Sequence, residues 1–143
     1  MKLSRETDYG LQGLIFLAKQ RRERPVGLDD IAKTQRLPRS FLAKTFQKFA
    51  RHGLVASFRG ADGGFMLARP PAAMTLREIV EAVEGPDLFD RCVFWSDRCA
   101  DENPCPLHPR WRLLKGRFVK LFEETTLEEL AKRPRVRRPA RRP

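Results

Sequence analysis

Residues 28–69, "LDDIAKTQRLPRSFLAKTFQKFARHGLV" followed by "ASFRGADGGFMLAR", constrain the fold more than any other stretch. A short helix is predicted from about Leu28 to Thr34. Asp29 and Asp30 fall in its first turn, where negative charge suits the helix dipole. Pro38 disfavours helix at Leu37, so Arg36–Pro38 make a turn. A second helix follows from Arg39 or Ser40 to His52. Leu42, Phe46 and Phe49 form its inward face, and Gly53 is the expected left-handed terminator. Two helices joined by so short a turn make a helix-turn-helix. Val55, Ser57 and Arg59 then alternate with Ala56 and Phe58, and Phe65–Leu67 resume a strand after a glycine-rich tip. The result is a two-stranded wing with Arg59 at its tip.

The outward face of the second helix carries Arg39, Ser40, Lys44, Gln47, Lys48 and Arg51. Such a face suits duplex DNA, because cations meet phosphates and short polar groups near the helix start reach base edges. Arg59 is placed to enter a minor groove. A solvated amphipathic helix, or an ordinary glycine hairpin, would account for either part taken singly. The two in succession are much more specific.

Charge is distributed to match. Residues 1–70 carry 14 Lys and Arg against 6 Asp and Glu, a net +8; residues 71–131 are net −4; residues 132–143 carry seven basic residues and no acidic one. A basic head suits a polyanion. No apolar run reaches the roughly 18 residues of a membrane span. Glu6 and Asp8 interrupt the basic start, and no small-residue cleavage site follows, so a cytoplasmic protein without membrane contact is expected.

Around the winged unit the order of elements is simple. A first helix is predicted from about Ser4 to Gln20, with Ser4 as N-cap and Leu11, Leu14, Ile15 and Ala18 on one stripe. "TLREIVEAVEG" at 75–85 reads as a helix with a capping box, Thr75 with Glu78, and a buried face of Leu76, Ile79, Val80 and Val83. Trp111, Leu114, Phe118 and Leu121 repeat with 3,4,3 spacing on a helix of about Pro109 to Glu124. That seam can pack against its own domain or pair two subunits; the two half-sites read by most helix-turn-helix proteins favour pairing. "TTLEELAKR" closes the fold as a short helix capped by Thr125 or Thr126. The rest is basic, Pro-rich and expected to be disordered. The organisation is therefore a DNA-binding domain over 1–86, a cysteine loop over 87–108, a dimerisation helix with the closing helix over 109–131, and a tail over 132–143. The fold class is mainly α with a small β wing.

All three cysteines and one of two histidines lie in "RCVFWSDRCADENPCPLH", residues 91–108, spaced Cys92-x6-Cys99-x5-Cys105-x2-His108. An odd count in a reducing compartment argues against a disulfide framework. The polar loop argues against plain core cysteines. A thiol nucleophile with His108 as base lacks an orienting third group. A metal site remains, and soft thiolates suit zinc or an iron–sulfur cluster. Zinc knuckles prefer tighter Cys-x(2–4)-Cys turns, so the wide intervals lean towards a cluster, though spacing alone leaves both open.

With "TDYGL" at 7–11, "SFLAKTFQKFARHGLVASFRGADGGFMLAR" at 40–69, "TLREIVEAVEG", the cysteine loop and "TLEELA" at 126–131 in this order, the chain resembles the Rrf-type winged-helix transcription regulators, the IscR and NsrR kind. The resemblance runs from Met1 to about Lys132. It implies a homodimer on double-stranded DNA, a sequence-specific regulator of repressor type and no enzymatic activity. It also implies a cluster held by Cys92, Cys99 and Cys105, responding to cluster status, nitric oxide, redox state or iron. In IscR-like members a histidine after the third cysteine completes a two-iron site, a position His108 matches. In NsrR-like members an aspartate in the partner's first helix completes a four-iron site, a position Asp8 matches. The first two cysteines here are one residue further apart than in many of those members. Trp95 and Phe94 are candidates to shield the cluster. Two rival readings stand beside this one: a cluster-free regulator responding through thiol oxidation, zinc or a protein partner, and a non-specific basic nucleic-acid binder.

Overall fold

A computed structural model describes residues 3–20, 23–92, 94 and 98–133. Six helices and one hairpin follow in order: α1 (Arg5–Lys19), α2 (Leu28–Gln35), α3 (Arg39–Arg51), β1 (Val55–Phe58), β2 (Gly64–Leu67), α4 (Leu76–Glu84), α5 (His108–Glu124) and α6 (Leu127–Lys132). Single 3₁₀ turns at Pro71–Ala73 and Leu88–Asp90 join α4 to its neighbours. Trp95 lies outside the described residues, as does all of the expected tail beyond Arg133.

Local signals place most boundaries. Ser4 Oγ accepts from the Thr7 amide and caps α1. Thr75 and Glu78 close the reciprocal capping box of α4, and Thr126 caps α6. Between α2 and α3 the chain turns through Arg36, whose φ of 54° is left-handed. Its amide bonds the Lys33 carbonyl, and the Leu37 amide reaches back to Ala32 at 2.9 Å, which satisfies the last carbonyls of α2. Gly53 has the expected positive φ, 70°, after α3.

β1 and β2 pair antiparallel from Val55↔Leu67 to Phe58↔Gly64, and Val26 adds a bridge to Phe65 through two 2.9 Å hydrogen bonds. Gly64 lies where the chain at Val26 crosses β2. Its φ is +146°, and a Cβ there would meet the Val26 carbonyl and lie 2.7 Å from the Gly27 nitrogen. Gly64→Ala is therefore expected to cost about 1–3 kcal/mol. The check is a lower urea midpoint with an unchanged m-value.

The main core gathers Leu14, Ile31, Leu42, Phe46, Phe49, Leu54, Met74, Ile79 and Leu127. α1 lies close on α3: a Cβ on Gly10 would be 2.8 Å from the Phe49 ring and nearer still to the Thr45 methyl. α6 belongs to this core too. Leu127 is fully buried, and the residues on either side of Thr126 pair with 74–76 through Leu76 N–Thr125 O (2.8 Å) and Leu127 N–Met74 O (2.9 Å). A second cluster, Val80, Leu88, Phe89 and Phe122, holds α5 against α4.

That cluster divides the expected α5 seam. Phe118 turns towards Phe89 and Phe122 of its own chain, with Phe118–Phe122 centroids 4.7 Å apart. Leu114 (57% exposed), Leu121 (58%) and Leu113 (78%) remain open to solvent.

Candidate functional site

Two groups of residues define the site. The first is α3 with the wing. At 100° per residue, Ser40, Lys44, Gln47 and Arg51 fall on one narrow stripe, and all four are exposed. Arg39 and Lys48 flank that stripe and are drawn sideways: Arg39 Nε pairs with Asp29 of α2 at 2.5 Å, and Lys48 Nζ with Glu6 of α1 at 2.9 Å. Thr45, fully buried, donates to the Phe41 carbonyl at 2.8 Å and lies 3.2 Å from Glu6 Oε1. Pro38 starts α3 without a side-chain cap, so its first amides stay available to an anion. Arg59, just past β1, is exposed next to the exposed Phe58.

The second group lies between α4 and α5. Cys92 and Cys99 are half-buried and Cys105 is buried, and none of the three is in a disulfide. Burial pushes the Cys105 thiol up; the Leu107 amide opposes this, while the Cys92 thiol, within hydrogen-bonding reach, and the Cys99 charge push it further. The three thiols therefore share one neighbourhood. A bound metal centre would supply positive charge there and displace the thiol protons.

His108 is the first residue of α5 and is buried. Its Nδ1 lies 3.5 Å from Cys99 Sγ and its Nε2 lies 2.8 Å from Asp101 Oδ1. The hydrogen bond from His108, then the charge of Arg112 at 3.0 Å, holds the Asp101 carboxyl below its ordinary value. A carboxylate accepting from Nε2–H leaves Nδ1 with its lone pair towards the sulfur, as in the carboxylate–histidine pairs that orient metal ligands. An open cleft of about 400 Å³ adjoins the group, lined by Arg98, Cys99, Asp101, Glu102, His108 and Arg112 among others.

Asp8 lies in the first turn of α1 and accepts from Gln12 Nε2 at 3.0 Å. Among the described residues no three His, Cys, Asp or Glu side chains are arranged around one metal ion. A zinc ion needs four donors about 2.0–2.3 Å from a single point. A cluster spreads its donors over several irons. The donor set here, with Cys92 near Cys105 and Cys99 near His108, fits the second by chemistry. Trp111, one turn beyond His108, has a buried indole N–H with no acceptor among the described residues, and a sulfide is an acceptor that suits it.

Asp101 is the functional candidate that sequence reasoning missed. It lies seven residues before His108 in an aperiodic loop, so no local spacing marks the pair. Phe94, proposed as a shield, is 64% exposed.

No helix among the described residues is long and apolar enough to cross a membrane. The profile of the Rrf2 family, described as "Iron-dependent Transcriptional regulator", matches residues 3–133. The chain is 35% identical over 124 residues to an HTH-type transcriptional regulator of Aquifex aeolicus, covering 85% of each. It is 31% identical to the HTH-type transcriptional regulator IscR of Xenorhabdus nematophila, covering 95% of this chain and 82% of that one. Among solved structures it is similar to CymR, the global cysteine regulator of B. subtilis, with 34% identity, TM-score 0.77, and coverage of 92% of this chain and 96% of that one. The chain is thus a mainly helical winged helix-turn-helix protein and belongs to the Rrf2 family of transcription regulators.

Proposed function

We propose that this regulator binds duplex DNA as a homodimer and that residues 87–108 hold an iron–sulfur cluster whose presence sets its DNA affinity. The observation that carries the reading is the pairing of Cys99 with His108 and the nearness of Cys92 and Cys99 to Cys105, about the start of α5. When bound, the cluster supplies iron that reacts with oxygen or nitric oxide and is lost when iron is scarce. The three thiolates are its protein ligands. His108 completes the set, with Asp8 of a partner subunit as the alternative. Asp101 fixes the His108 ring, and Arg112 fixes Asp101.

Both His108 and Arg112 belong to the first turns of α5, so an ordered loop also sets the direction of that helix. Leu113, Leu114 and Leu121 give α5 an exposed apolar face that suits a second copy. Successive major grooves repeat at about 34 Å, so a small change in α5 pairing shifts the spacing of two α3 helices and changes affinity steeply. On α3, Lys44 and Arg51 reach phosphates, and Ser40 and Gln47 reach base edges. Arg39 and Lys48 must first exchange Asp29 and Glu6 for phosphate. Arg59 follows in the minor groove.

The test is binding to a duplex selected from a random library, titrated with salt. Lys44→Ala and Arg51→Ala are each expected to reduce the salt slope by about 1. Gln47→Ala is expected to cost about 1–3 kcal/mol and to relax preference at one base pair. Equal affinity for every duplex, with no effect of Gln47→Ala, would favour the non-specific binder.

The nearness of Cys92 and Cys105 favours one second reading, a regulator without a cluster in which these two thiols form a disulfide as they pass two electrons and two protons to a peroxide, which is reduced to water or alcohol. It expects iron-free protein whose DNA affinity follows the thiol–disulfide state.

A further inference from the structure

Glu84 is the last residue of α4, and it is bonded in two directions. Its Oε1 accepts from the Ser4 amide at 2.7 Å and from the Thr7 hydroxyl at 2.5 Å, across about 80 residues of sequence. Ser4 and Thr7 are the capping pair of α1, and Thr7 is buried. Burial pushes the Glu84 carboxyl up, but the hydrogen bonds from Thr7 and Ser4 outweigh it, so the group sits below its ordinary value. A charged acceptor at a helix start also suits the dipole of α1.

The main chain of the same residue faces the thiol loop. The Glu84 carbonyl accepts from Arg91 Nη2 at 3.3 Å, and that guanidinium also pairs with Asp87 at 3.2 Å. Arg91 precedes Cys92, and its backbone bridges Arg98, the neighbour of Cys99. The Cys99 amide bonds the Asp90 carbonyl at 2.7 Å. The thiol loop is therefore tied to the end of α4 through Arg91, and Cys99 is tied to the turn that follows α4 through Asp90.

α1 carries the connection onward. Glu6, beside Thr7, holds Lys48 and meets Thr45 on α3. One turn later Gly10 packs against Thr45 and Phe49 with no space for a side chain. Two helices in such contact shift together, because a packed interface does not deform gradually.

We infer that Glu84 is a positioning residue that couples the thiol loop to the recognition helix within one chain. Arg91 holds the loop against the end of α4; Glu84 passes that position to the first turn of α1; Glu6 and the Gly10 contact pass it to α3. This inference rests on the reading of 87–108 as the sensor and α3 as the DNA-reading helix. A purely structural clasp would make the same contacts, so the test separates stability from coupling.

The experiment compares DNA affinity of iron-loaded and chelator-cleared protein, prepared without air, for wild type, Glu84→Gln and Thr7→Val. The second variant keeps the volume of the buried side chain and removes only the hydroxyl donor. Wild type is expected to show a ratio of about 5–150-fold between the two states. Both variants are expected to bring that ratio close to one with iron content unchanged, and to couple non-additively in the double variant. Variants that keep the wild-type ratio while shifting both affinities together would overturn the inference and leave the sensor reading standing. Failure of both variants to fold would also overturn it, by making the clasp structural. A wild-type ratio of one would instead sink the sensor reading and this inference with it.

Discussion

Cys99→Ser and Cys105→Ser are each expected to strip iron and labile sulfide from protein purified without air, while leaving the winged unit folded. Neither thiol belongs to the main core, and the cluster of Phe89, Phe118 and Phe122 anchors α5 independently of them. Loss of a direct ligand removes more affinity than the roughly 10–100-fold that outer-shell changes cost. Asp101→Ala, which frees the His108 ring and Arg112 but removes no proposed ligand, belongs to that smaller class. Comparing His108→Ala with Asp8→Ala identifies the fourth ligand, since the one that loses iron is the one that supplies it. Full iron in Cys105→Ser would contradict the ligand assignment directly.

The largest expected effect on stability comes from Phe46→Ala. Phe46 is fully buried on α3 and makes edge contacts with Phe49 at 5.6 Å and with Phe65 of the wing at 5.1 Å. It is also the ring that joins α3 to β2, so its loss leaves a cavity that two elements must close. Truncating a buried Phe costs about 3–5 kcal/mol. For a chain of this size that lowers the melting temperature by on the order of 10 °C. Calorimetry checks the value. DNA binding of the variant is expected to weaken as well, because α3 and the wing lose their common support. A shift of only a degree or two would mean that the core is not organised around this ring.

The winged unit was readable because its signals are local. Pro38 breaks the chain between two helices, Gly53 ends the second, and Thr75 with Glu78 marks a helix start without reference to anything distant. The glycines at the hairpin tip gave the wing, although the crossing of Val26 that makes Gly64 indispensable needed the fold. Long-range choices were not readable. Gly10 looks like a weak point in a helix until Thr45 and Phe49 are seen against it. Spacing of 3,4,3 marked the α5 stripe but could not tell that Phe118 would turn to Phe89, or that Phe122, outside the stripe, would be the buried residue. A helical wheel sets Arg39 and Lys48 at the flanks of the stripe that holds Lys44 and Arg51, but it could not show that Asp29 and Glu6, on other helices, would pair with them. In the thiol loop the sequence singled out the cysteines as candidate donors, whereas the pairing of His108 with Asp101 depends on a turn no sequence period encodes.

The most direct test of the central claim is made on one anaerobic preparation. Iron, zinc and labile sulfide are counted, and affinity for a selected duplex is measured before and after the metal is removed. The expected result is iron with sulfide, little zinc, and a DNA affinity that changes at least several-fold on removal. Protein free of iron and sulfide that binds the same duplex equally tightly in both states would contradict it.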